Sequence, residues 1–417
     1  MLSHLNIGIG FVTGRSNVCN VINSYYKYVK EQVQSFYRNT NITFYILYDT
    51  EYQGTKKEDF YKLVPEIFTE PNITVTYITP EVITDMKDKI KEKYKLTDEE
   101  VNLIIGRGHA KGRNTVLYKA YSDNMNYLYF WDDDEYPVAC LKNEDGTVSW
   151  KMQDNVVKHI EAMENYDADV TIGYHCGYIS PIPYMKFEKE DDEQAISDFI
   201  EGISNEIVTW ESVKEKYENS NGVTFADPKI ADGEGMFELQ ETNGGKFVAG
   251  STLCINLSHV DKIPAFFNPD GARGEDTFFS LGLSDCKVLK VPAYHFHDGF
   301  LKYTEIQDGE FPDELRLIKS NEASVDKRFY KCCLGWIKYK PLLMYLLGRD
   351  TYKKDIKKVY TKLEASIDKI NSIYENCDFT NVYKALEECD KNVEEDYATL
   401  VKTNNVWNEL KTKLYTK

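Results

Sequence analysis

Tyr127 to Pro137 reads Y-L-Y-F-W-D-D-D-E-Y-P, and this stretch decides the fold. Five apolar and aromatic residues have the length and composition of a buried β-strand, and four carboxylates follow them without a break. Pro137 cannot donate a ladder hydrogen bond, so it ends any further strand pairing. The pattern predicts a core strand that delivers the carboxylates of residues 132–135 at its carboxyl end.

Carboxylates placed this closely repel one another, and a divalent cation held by oxygen ligands is the usual relief. On an extended backbone Asp132 and Asp134 point to the same side, so their spacing suits one cation together with a diphosphate. Asp133 is then expected to turn the other way. The alternative is a solvated acidic turn after a core strand, and the surrounding sequence has to decide between the two.

Composition excludes some classes of function. The chain has 417 residues and a formal net charge of −18, which argues against general binding to nucleic acid. Its nine cysteines are scattered and form no C-x-x-C pair, so we expect reduced thiols in a cytoplasmic protein. The amino terminus has no basic region, and no run of about 18 apolar residues occurs. We therefore expect neither a signal peptide nor a membrane-spanning helix.

The order of the predicted elements indicates an α/β fold. Strand patterns alternate with helical patterns, the strands at 6–13, 42–48, 73–78 and 127–131 and the helices at 18–37, 60–68, 85–94 and 116–124. This alternation predicts a mostly parallel sheet flanked by helices, whose ligands sit at the carboxyl ends of the strands. Asp49 follows the second strand, so it is expected at the same edge as the acidic stretch.

The pattern changes after the α/β part. Residues 353–414 have helical spacing and contain neither glycine nor proline, which predicts a C-terminal helical domain over 303–417 after an α/β domain over 1–302. Residues 186–243 are polar, acidic and weakly patterned, which indicates an insertion or flap within the first domain. The C-terminal helices are also expected to form a homodimer or to bind a partner.

A basic and apolar stretch lies in the predicted helical domain. Residues 326–363 carry eleven Lys and Arg against three Asp, and residues 336–347 read W-I-K-Y-K-P-L-L-M-Y-L-L. One expectation is peripheral contact with the anionic inner face of the membrane through residues 327–358. The alternative is a helix that packs on the main domain and keeps its lysines in solvent.

Three further motifs accompany the acidic stretch in a fixed order. Gly106-Arg107-Gly108 and Lys111-Gly112-Arg113-Asn114 precede it, Gly274-Glu275-Asp276 follows, and His295-x-His297 comes last. Over roughly residues 4–300 these motifs resemble the GT-A nucleotide-sugar glycosyltransferases, nearest to family-2-like inverting enzymes. The resemblance implies a Rossmann-like GT-A fold. It also implies transfer of a sugar from a nucleotide-diphosphate sugar, UDP-linked, to a hydroxyl of a glycan or glycolipid acceptor.

The resemblance assigns the acidic stretch to Mn²⁺ or Mg²⁺. Breaking the sugar bond leaves charge on the diphosphate, and a divalent cation neutralises that charge as it develops. Asp134 is the expected direct metal ligand, Asp132 a partner of the metal, its waters or the ribose, and Asp133 a residue facing backbone or basic groups. His297 or His295 would complete the metal shell. The alternative for the two histidines is a strand-end pair whose ring nitrogens bond the backbone.

Glu275-Asp276 resembles the E-D motif, in which a carboxylate takes the proton of the acceptor hydroxyl. Such a base has to reach the hydroxyl and stay ionised. By position Asp276 is the expected base, and Glu275 is expected to orient the acceptor or the loop. Gly-Glu-Asp-Thr would also begin a helix well, and the two interpretations are compatible.

Nucleotide contacts are expected at the ends of the first strands. Thr13 and Arg15 follow the first strand, and the resemblance makes Asp49 the acceptor of a hydrogen bond from the base. Cations suit a diphosphate, so three basic residues are candidates for phosphate or base contacts: Arg107, Lys111 and Arg113. The alternative is that Arg107 and Arg113 pair with the aspartate cluster.

The acceptor region is less defined, because residues 186–243 make the spacing between the motifs longer than a compact family-2-like domain needs. Candidates there are His175, Tyr178 and Trp210, since exposed aromatic side chains suit a sugar. Two other functions compete. A sugar nucleotidyltransferase would need a glycine-rich basic loop after the first strand, which residues 8–15 match poorly. A non-catalytic glycan-binding or scaffold protein would not need so many converging carboxylates.

Overall fold

The structure, a computed structural model, describes residues 5–51, 54–178, 181–184, 190–204, 209–220, 222–319 and 322–415. Residues 186–189, 205–208 and 221 of the predicted insertion lie outside the described part. The strands are β1 (Leu5–Thr13), β2 (Thr40–Tyr48), β3 (Ile73–Ile78), β4 (Tyr127–Phe130), β5 (Glu135–Tyr136), β6 (Val138–Lys142), β7 (Val148–Met152), β8 (Val170–Gly177), β9 (Phe237–Glu238), β10 (Leu253–Asn256) and β11 (Val288–His297).

Helices surround these strands and dominate the carboxyl-terminal part. They are α1 (Asn17–Phe36), α2 (Pro80–Tyr94), α3 (Asp98–Ile104), α4 (His109–Ser122), α5 (Asn155–Tyr166), α6 (Glu190–Ile203), α7 (Trp210–Ser220), α8 (Pro228–Ala231), α9 (Glu275–Leu281), α10 (Ala323–Leu347), α11 (Tyr352–Ile373), α12 (Thr380–Lys391) and α13 (Val393–Tyr415). The α/β class and the helical C-terminal part are thereby confirmed.

The main sheet is mixed. Its strand order is β3-β2-β1-β4-β10-β8-β11-β5, with β9 beside β11. Neighbours among β1 to β4 run parallel, as do β8 and β11, whereas β10 runs antiparallel to β4 and β8 and β11 runs antiparallel to β5 and β9. The prediction of a mostly parallel sheet is therefore wrong. A buried strand such as β10 has the same apolar pattern in either direction, so its sequence does not reveal how it runs.

The stretch from Tyr127 to Pro137 forms a buried strand and then a turn. All four residues of β4 are buried, and Trp131 N–H donates to the carbonyl of Gly10 on β1 at 3.1 Å. The chain turns at residues 133–134, and Glu135 then pairs with His297 of β11. The expectation that Asp132 and Asp134 share one side of an extended strand is wrong, because β4 has already ended. The turn instead brings the carboxylates to the end of β11.

Some helix boundaries also differ from the predictions. α4 begins at His109 rather than near residue 116, so Lys111 and Arg113 lie within the helix and Arg107 precedes it. Residues 60–68, expected as one helix, lie in two 3₁₀ turns at Lys57–Tyr61 and Pro65–Phe68. Pro65 lacks the N–H group that a continuous helix would need there.

The predicted insertion packs against the C-terminal helices. The ring of Phe199 on α6 lies 6.4 Å from the ring of Phe329 on α10 and 5.5 Å from that of Phe379, between centroids. Lys340 of α10 is buried, and its Nζ atom donates to the carbonyls of Glu201 at 3.1 Å and Ser204 at 2.6 Å. α6 and α10 are therefore held together by an apolar cluster and a buried ammonium group.

α10 contains most of the stretch predicted to touch a membrane. Its apolar residues Ile337, Leu342 and Leu343 are at most 1% exposed, whereas Leu347 at its end is 43% exposed. This burial agrees with the alternative in which the helix packs on the protein. Over the described ranges, no helix combines the length and apolarity needed to cross a bilayer. Peripheral membrane contact and dimerisation stay predictions.

Candidate functional site

A cavity of about 330 Å³ lies at the carboxyl ends of β1, β2 and β4. Most of the predicted site residues line it: Thr13, Arg15, Asp49, Arg113, Asp132, Asp133, Asp134, Glu275, Asp276 and His297. Arg107, Lys111 and His295 are also described, and they lie outside this lining. The fold thus brings the acidic stretch and the E-D motif to one space.

Asp133 faces the end of β1. Its carboxylate accepts a hydrogen bond from Thr13 Oγ1 and forms an ion pair with Arg15. Asn17 Nδ2 donates to the Asp133 carbonyl at 2.5 Å, which fixes the turn against the start of α1. Burial raises the pKa of Asp133, and Arg15 and Thr13 oppose that rise. Asp133 therefore turns toward a basic partner, as the sequence predicts.

Asp134 lies where three cationic or basic groups converge. Its Oδ2 atom is 2.9 Å from Arg15 Nη2, 3.2 Å from Arg328 Nη2 and 3.6 Å from His297 Nε2. Burial opposes its ionisation, but Arg15, His297 and Arg328 outweigh this and hold the pKa of Asp134 well below its usual range. Burial also acts to lower the pKa of His297, but the Asp134 carboxylate outweighs it and raises that pKa.

His295 is used differently from His297, although both lie on β11. It is 1% exposed, with Nδ1 3.0 Å from Glu135 Oε2 and Nε2 3.0 Å from the Tyr129 hydroxyl. Both ring nitrogens therefore have protein partners, and burial lowers the pKa of the imidazole. The structure separates the two histidines, and only His297 reaches the cavity.

Asp134 and His297 can supply ligands to a divalent cation, because a carboxylate and an imidazole stand 3.6 Å apart on the cavity wall. Within the described residues, three or more His, Cys, Asp or Glu side chains do not converge in a metal-binding arrangement. Mg²⁺ commonly takes only one or two protein carboxylates and completes its shell with substrate phosphates and water. The residues present fit a cation bound together with a diphosphate.

Arg113 connects the acidic stretch to the E-D motif. It is 5% exposed, with Nη2 3.2 Å from Asp132 Oδ1 and Nε 3.4 Å from Glu275 Oε1. It also donates to the carbonyl of Gly250 at 2.5 Å. Burial raises the pKa of Asp132 to about 7, against the opposing charge of Arg113. Arg113 thus pairs with Asp132, which agrees with the alternative that it pairs with the aspartate cluster, and it also pairs with Glu275. It still lines the cavity.

The E-D motif begins a helix beside the cavity. Gly274 caps the helix at φ +92°, and α9 starts at Glu275. Asp276 accepts hydrogen bonds from the N–H groups of Thr277 at 2.9 Å and Gly250 at 3.4 Å. The motif therefore begins a helix, as the sequence predicts, and both of its carboxylates line the cavity.

The two carboxylates of this motif have different acidities. Burial and the charge of Glu275 raise the pKa of Asp276 to about 6. Burial also opposes ionisation of Glu275, but His109 and Arg113 outweigh it and lower the pKa of Glu275. Adjacent acids with separated pKa values are typical of acid–base sites. Asp276 can therefore exchange a proton near neutral pH beside a carboxylate that stays ionised.

Of the residues predicted to contact the nucleotide, Asp49 and Thr13 line the cavity, whereas Arg107 and Lys111 lie outside its lining. Asp49 lines the cavity next to Thr13, to whose carbonyl its N–H donates at 2.8 Å. Arg107 lies behind Asp49 and pairs with it at 3.3 Å and with Glu51 at 2.8 Å. Lys111 packs its aliphatic stem toward Gly106. Arg107 pairs outside the Asp132–Asp134 cluster, which corrects the alternative proposed for it.

Several lining residues were missed by the sequence analysis. Arg328, Trp336 and Tyr339 come from α10, and Arg273 and His109 flank the E-D motif and the start of α4. Arg273 and His109 stand next to quoted motifs, which is a signal that could have found them. The α10 residues carry no such signal, because Arg328 and Asp134 are 194 positions apart.

Glu135 organises another part of the wall. Its Oε1 atom accepts from Ser251 Oγ at 2.5 Å and lies 2.9 Å from His175 Nε2. Of the three acceptor candidates, His175 lines the cavity, Tyr178 stacks on Tyr303 at 5.9 Å between ring centroids, and Trp210 lies in the helical core. The structure therefore keeps one of these three residues at the site.

Neither the models of known protein families nor the curated proteins contain a match to this chain.

Proposed function

We propose that this chain is a GT-A-like glycosyltransferase. It moves a sugar from a nucleotide-diphosphate sugar, UDP-linked, to a hydroxyl group of a glycan or glycolipid. The observation that carries the proposal is the shared cavity, in which the acidic turn at 132–134 and the pair Glu275–Asp276 face the same space. A carboxylate with a pKa of about 6 suits a proton acceptor, and the arginines around the acidic turn suit a diphosphate.

Asp134 and His297 would hold the divalent cation, with Asp132 beside them. Bound there, Mn²⁺ or Mg²⁺ would neutralise the charge that the diphosphate gains as its sugar bond breaks. Arg15 and Arg328 already lie within 3.2 Å of Asp134, so their guanidinium groups are placed to bind phosphate oxygens. Asp49 and Thr13 mark the end of the cavity where the nucleoside would lie.

The proposed transfer is a single displacement with inversion. The acceptor oxygen forms a bond to the anomeric carbon while the bond from that carbon to the diphosphate oxygen breaks. The bonding pair leaves with the diphosphate, and the hydroxyl proton passes to Asp276. Glu275, held by Arg113 and near His109, stays ionised and keeps the pKa of Asp276 raised. Retention at the anomeric carbon of the product, seen by NMR, would contradict this mechanism.

The first experiment measures thermal unfolding of the whole chain with UDP, GDP, CMP or ATP, each with and without Mn²⁺. A ligand that binds only the folded state raises the midpoint by mass action. We expect UDP to raise the midpoint and the rise to require Mn²⁺. Asp276→Asn is expected to keep this shift and lose turnover, because it removes only the proton acceptor. A chain whose midpoint responds to none of the nucleotides would contradict the proposal.

A further inference from the structure

One face of α10 forms a wall of the cavity. Arg328, Trp336 and Tyr339 all line it, and their spacing of eight and three residues places them on the same side of the helix. Arg328 reaches Asp134 at one end of this face. Trp336 and Tyr339 lie at the other end, near the loop that precedes Asp276.

Tyr339 is fixed against that loop. Gly274 has φ +92°, and a methyl group at this position would lie 2.8 Å from Tyr339 Cγ. Only glycine meets both the left-handed backbone and the close approach of the ring at this position. The ring of Tyr339 therefore lies directly over the residue that precedes Glu275 and Asp276.

A second close contact holds the same loop to α10. Arg273 N–H donates to the carbonyl of Gly335 at 3.2 Å, and a methyl group at position 335 would lie 2.8 Å from Arg273 Cγ. Glycine inside a helix is unfavourable relative to alanine. Here it allows the stem of Arg273 to lie on the helix backbone. Trp336, the next residue, is consequently held at the cavity wall close to the E-D loop.

We propose that Trp336, on the part of α10 that Tyr339 fixes against the E-D loop, binds a sugar ring of the acceptor. The C–H groups on one face of a pyranose form an apolar surface, which an indole ring covers while the hydroxyl groups point sideways to polar partners. Trp336 is half-buried and therefore keeps part of its ring open to the cavity. The acceptor role rests on the proposed function, whereas the binding of a sugar ring can be measured without turnover.

The position of Trp336 favours an acceptor sugar over a nucleobase. Asp49 and Thr13 lie at the ends of β2 and β1, where the nucleoside is expected. Trp336 follows Gly335, whose carbonyl accepts from Arg273 N–H in the loop that leads into Glu275 and Asp276. A ring stacked on Trp336 would thus lie beside the loop that carries Asp276.

The test measures binding of methyl β-D-glucoside, methyl β-D-galactoside, methyl α-D-mannoside and methyl N-acetyl-β-D-glucosaminide by saturation-transfer NMR, with and without UDP and Mn²⁺. Affinity for UDP is measured separately by calorimetry. We expect at least one glycoside to bind the wild-type chain and Trp336→Ala to weaken it roughly tenfold or more. Trp336→Phe should retain most of the affinity, which shows that the effect follows the aromatic ring.

Tyr330→Ala is the matched control. Tyr330 also lies on α10, but its ring packs on Phe379 at 5.2 Å and it is not part of the cavity lining. We expect this variant to bind the glycosides as the wild type does, even if it unfolds at a lower temperature.

The outcomes separate this inference from the proposed function. Equal glycoside binding by the wild type and Trp336→Ala would overturn the subsite, as would a wild type that binds none of the four glycosides. A loss of UDP affinity equal to the loss of glycoside affinity would also overturn it. If UDP fails to bind but glycosides bind and depend on Trp336, the subsite stands and the proposed function fails.

Discussion

Arg328 Nη2 lies 3.2 Å from Asp134 Oδ2, although the two residues are 194 positions apart and belong to different parts of the fold. Arg328 Nε also donates to the carbonyl of Gly299 at 3.0 Å, which orients its guanidinium group toward the acidic turn. Of the C-terminal helices, α10 is therefore part of the cavity wall.

Arg328→Ala should lower kcat/KM by roughly 10- to 150-fold, because hydrogen bonds to charged groups contribute about 1.5–3 kcal/mol. The removed guanidinium group is one of two that would meet the diphosphate beside Asp134. Steady-state kinetics with the donor identified by thermal unfolding would measure this change.

Lys331→Ala is the control for that variant, because it removes a positive charge from an exposed position of α10. Its kcat/KM should equal that of the wild type. Wild-type kinetics for Arg328→Ala would show that the contact with Asp134 has no part in the reaction.

The proton acceptor should give the activity an acid limb near pH 6. The pKa of Asp276 is raised to about 6, so the carboxylate is ionised above that pH and protonated below it. A protonated base cannot accept the hydroxyl proton, so kcat/KM should fall about tenfold for each pH unit below 6. The measurement is the pH dependence of kcat/KM.

Glu275→Gln should move this limb to lower pH. The negative charge of Glu275 helps to raise the pKa of Asp276, and glutamine removes that charge while keeping the shape. Glu51→Gln, which also removes a carboxylate that pairs with an arginine, should leave the limb in place. A limb that stays near pH 6 in Glu275→Gln would show that Asp276 is not the titrating group.

Asp134→Asn should abolish the Mn²⁺-dependent binding of UDP. Even a residue that only supports a metal ligand changes metal affinity by 10–100-fold, so loss of a direct ligand should cost at least roughly 100-fold. Calorimetric titration with UDP and Mn²⁺ would test this, with circular dichroism to verify the fold. Asp145→Asn, in an exposed turn, is the matched substitution and should bind normally.

Gly274→Ala should destabilise the fold and impair activity together. A side chain at φ +92° costs about 1–2 kcal/mol, and overlap with Tyr339 adds about 1–3 kcal/mol. Urea unfolding would give the total change in free energy.

Gly309→Ala is the control, since Gly309 has φ +78° and open space around the added methyl group. It should show only the backbone cost and retain activity. Equal destabilisation by both substitutions would contradict the close packing of Tyr339 on Gly274.

The sequence predicted the part of the cavity that local patterns encode. Thr13 ends β1 and Asp49 directly follows β2, and the two strands run parallel, so their carboxyl ends meet at one edge of the sheet. The E-D motif was placed correctly at a helix start, because glycine followed by acidic residues is a local signal. Function was not fixed by these patterns and stays a proposal.

The remaining features of the fold and of the cavity depend on contacts between residues that are far apart in the sequence. Alternation along β11 puts His295 and His297 on one face, but their different depths follow from the pairing of Glu135 with His297 and from the partners of His295. The direction of β10 is likewise set by its neighbours. No pattern near Arg328 refers to Asp134, so the contribution of α10 appears only when the chain is folded.

The buried ammonium group of Lys340 limits how this protein can be recombined with others. Its partners are the carbonyls of Glu201 and Ser204 at the end of α6, and Trp336 lies one turn before it on the same helix. A chimera whose replacement for α6 ended at a different place would leave the buried ammonium group without these carbonyls, at a cost of about 3–5 kcal/mol. The segment around α6 and α10 should therefore be exchanged together. A graft made to change the specificity of the cavity has to include both.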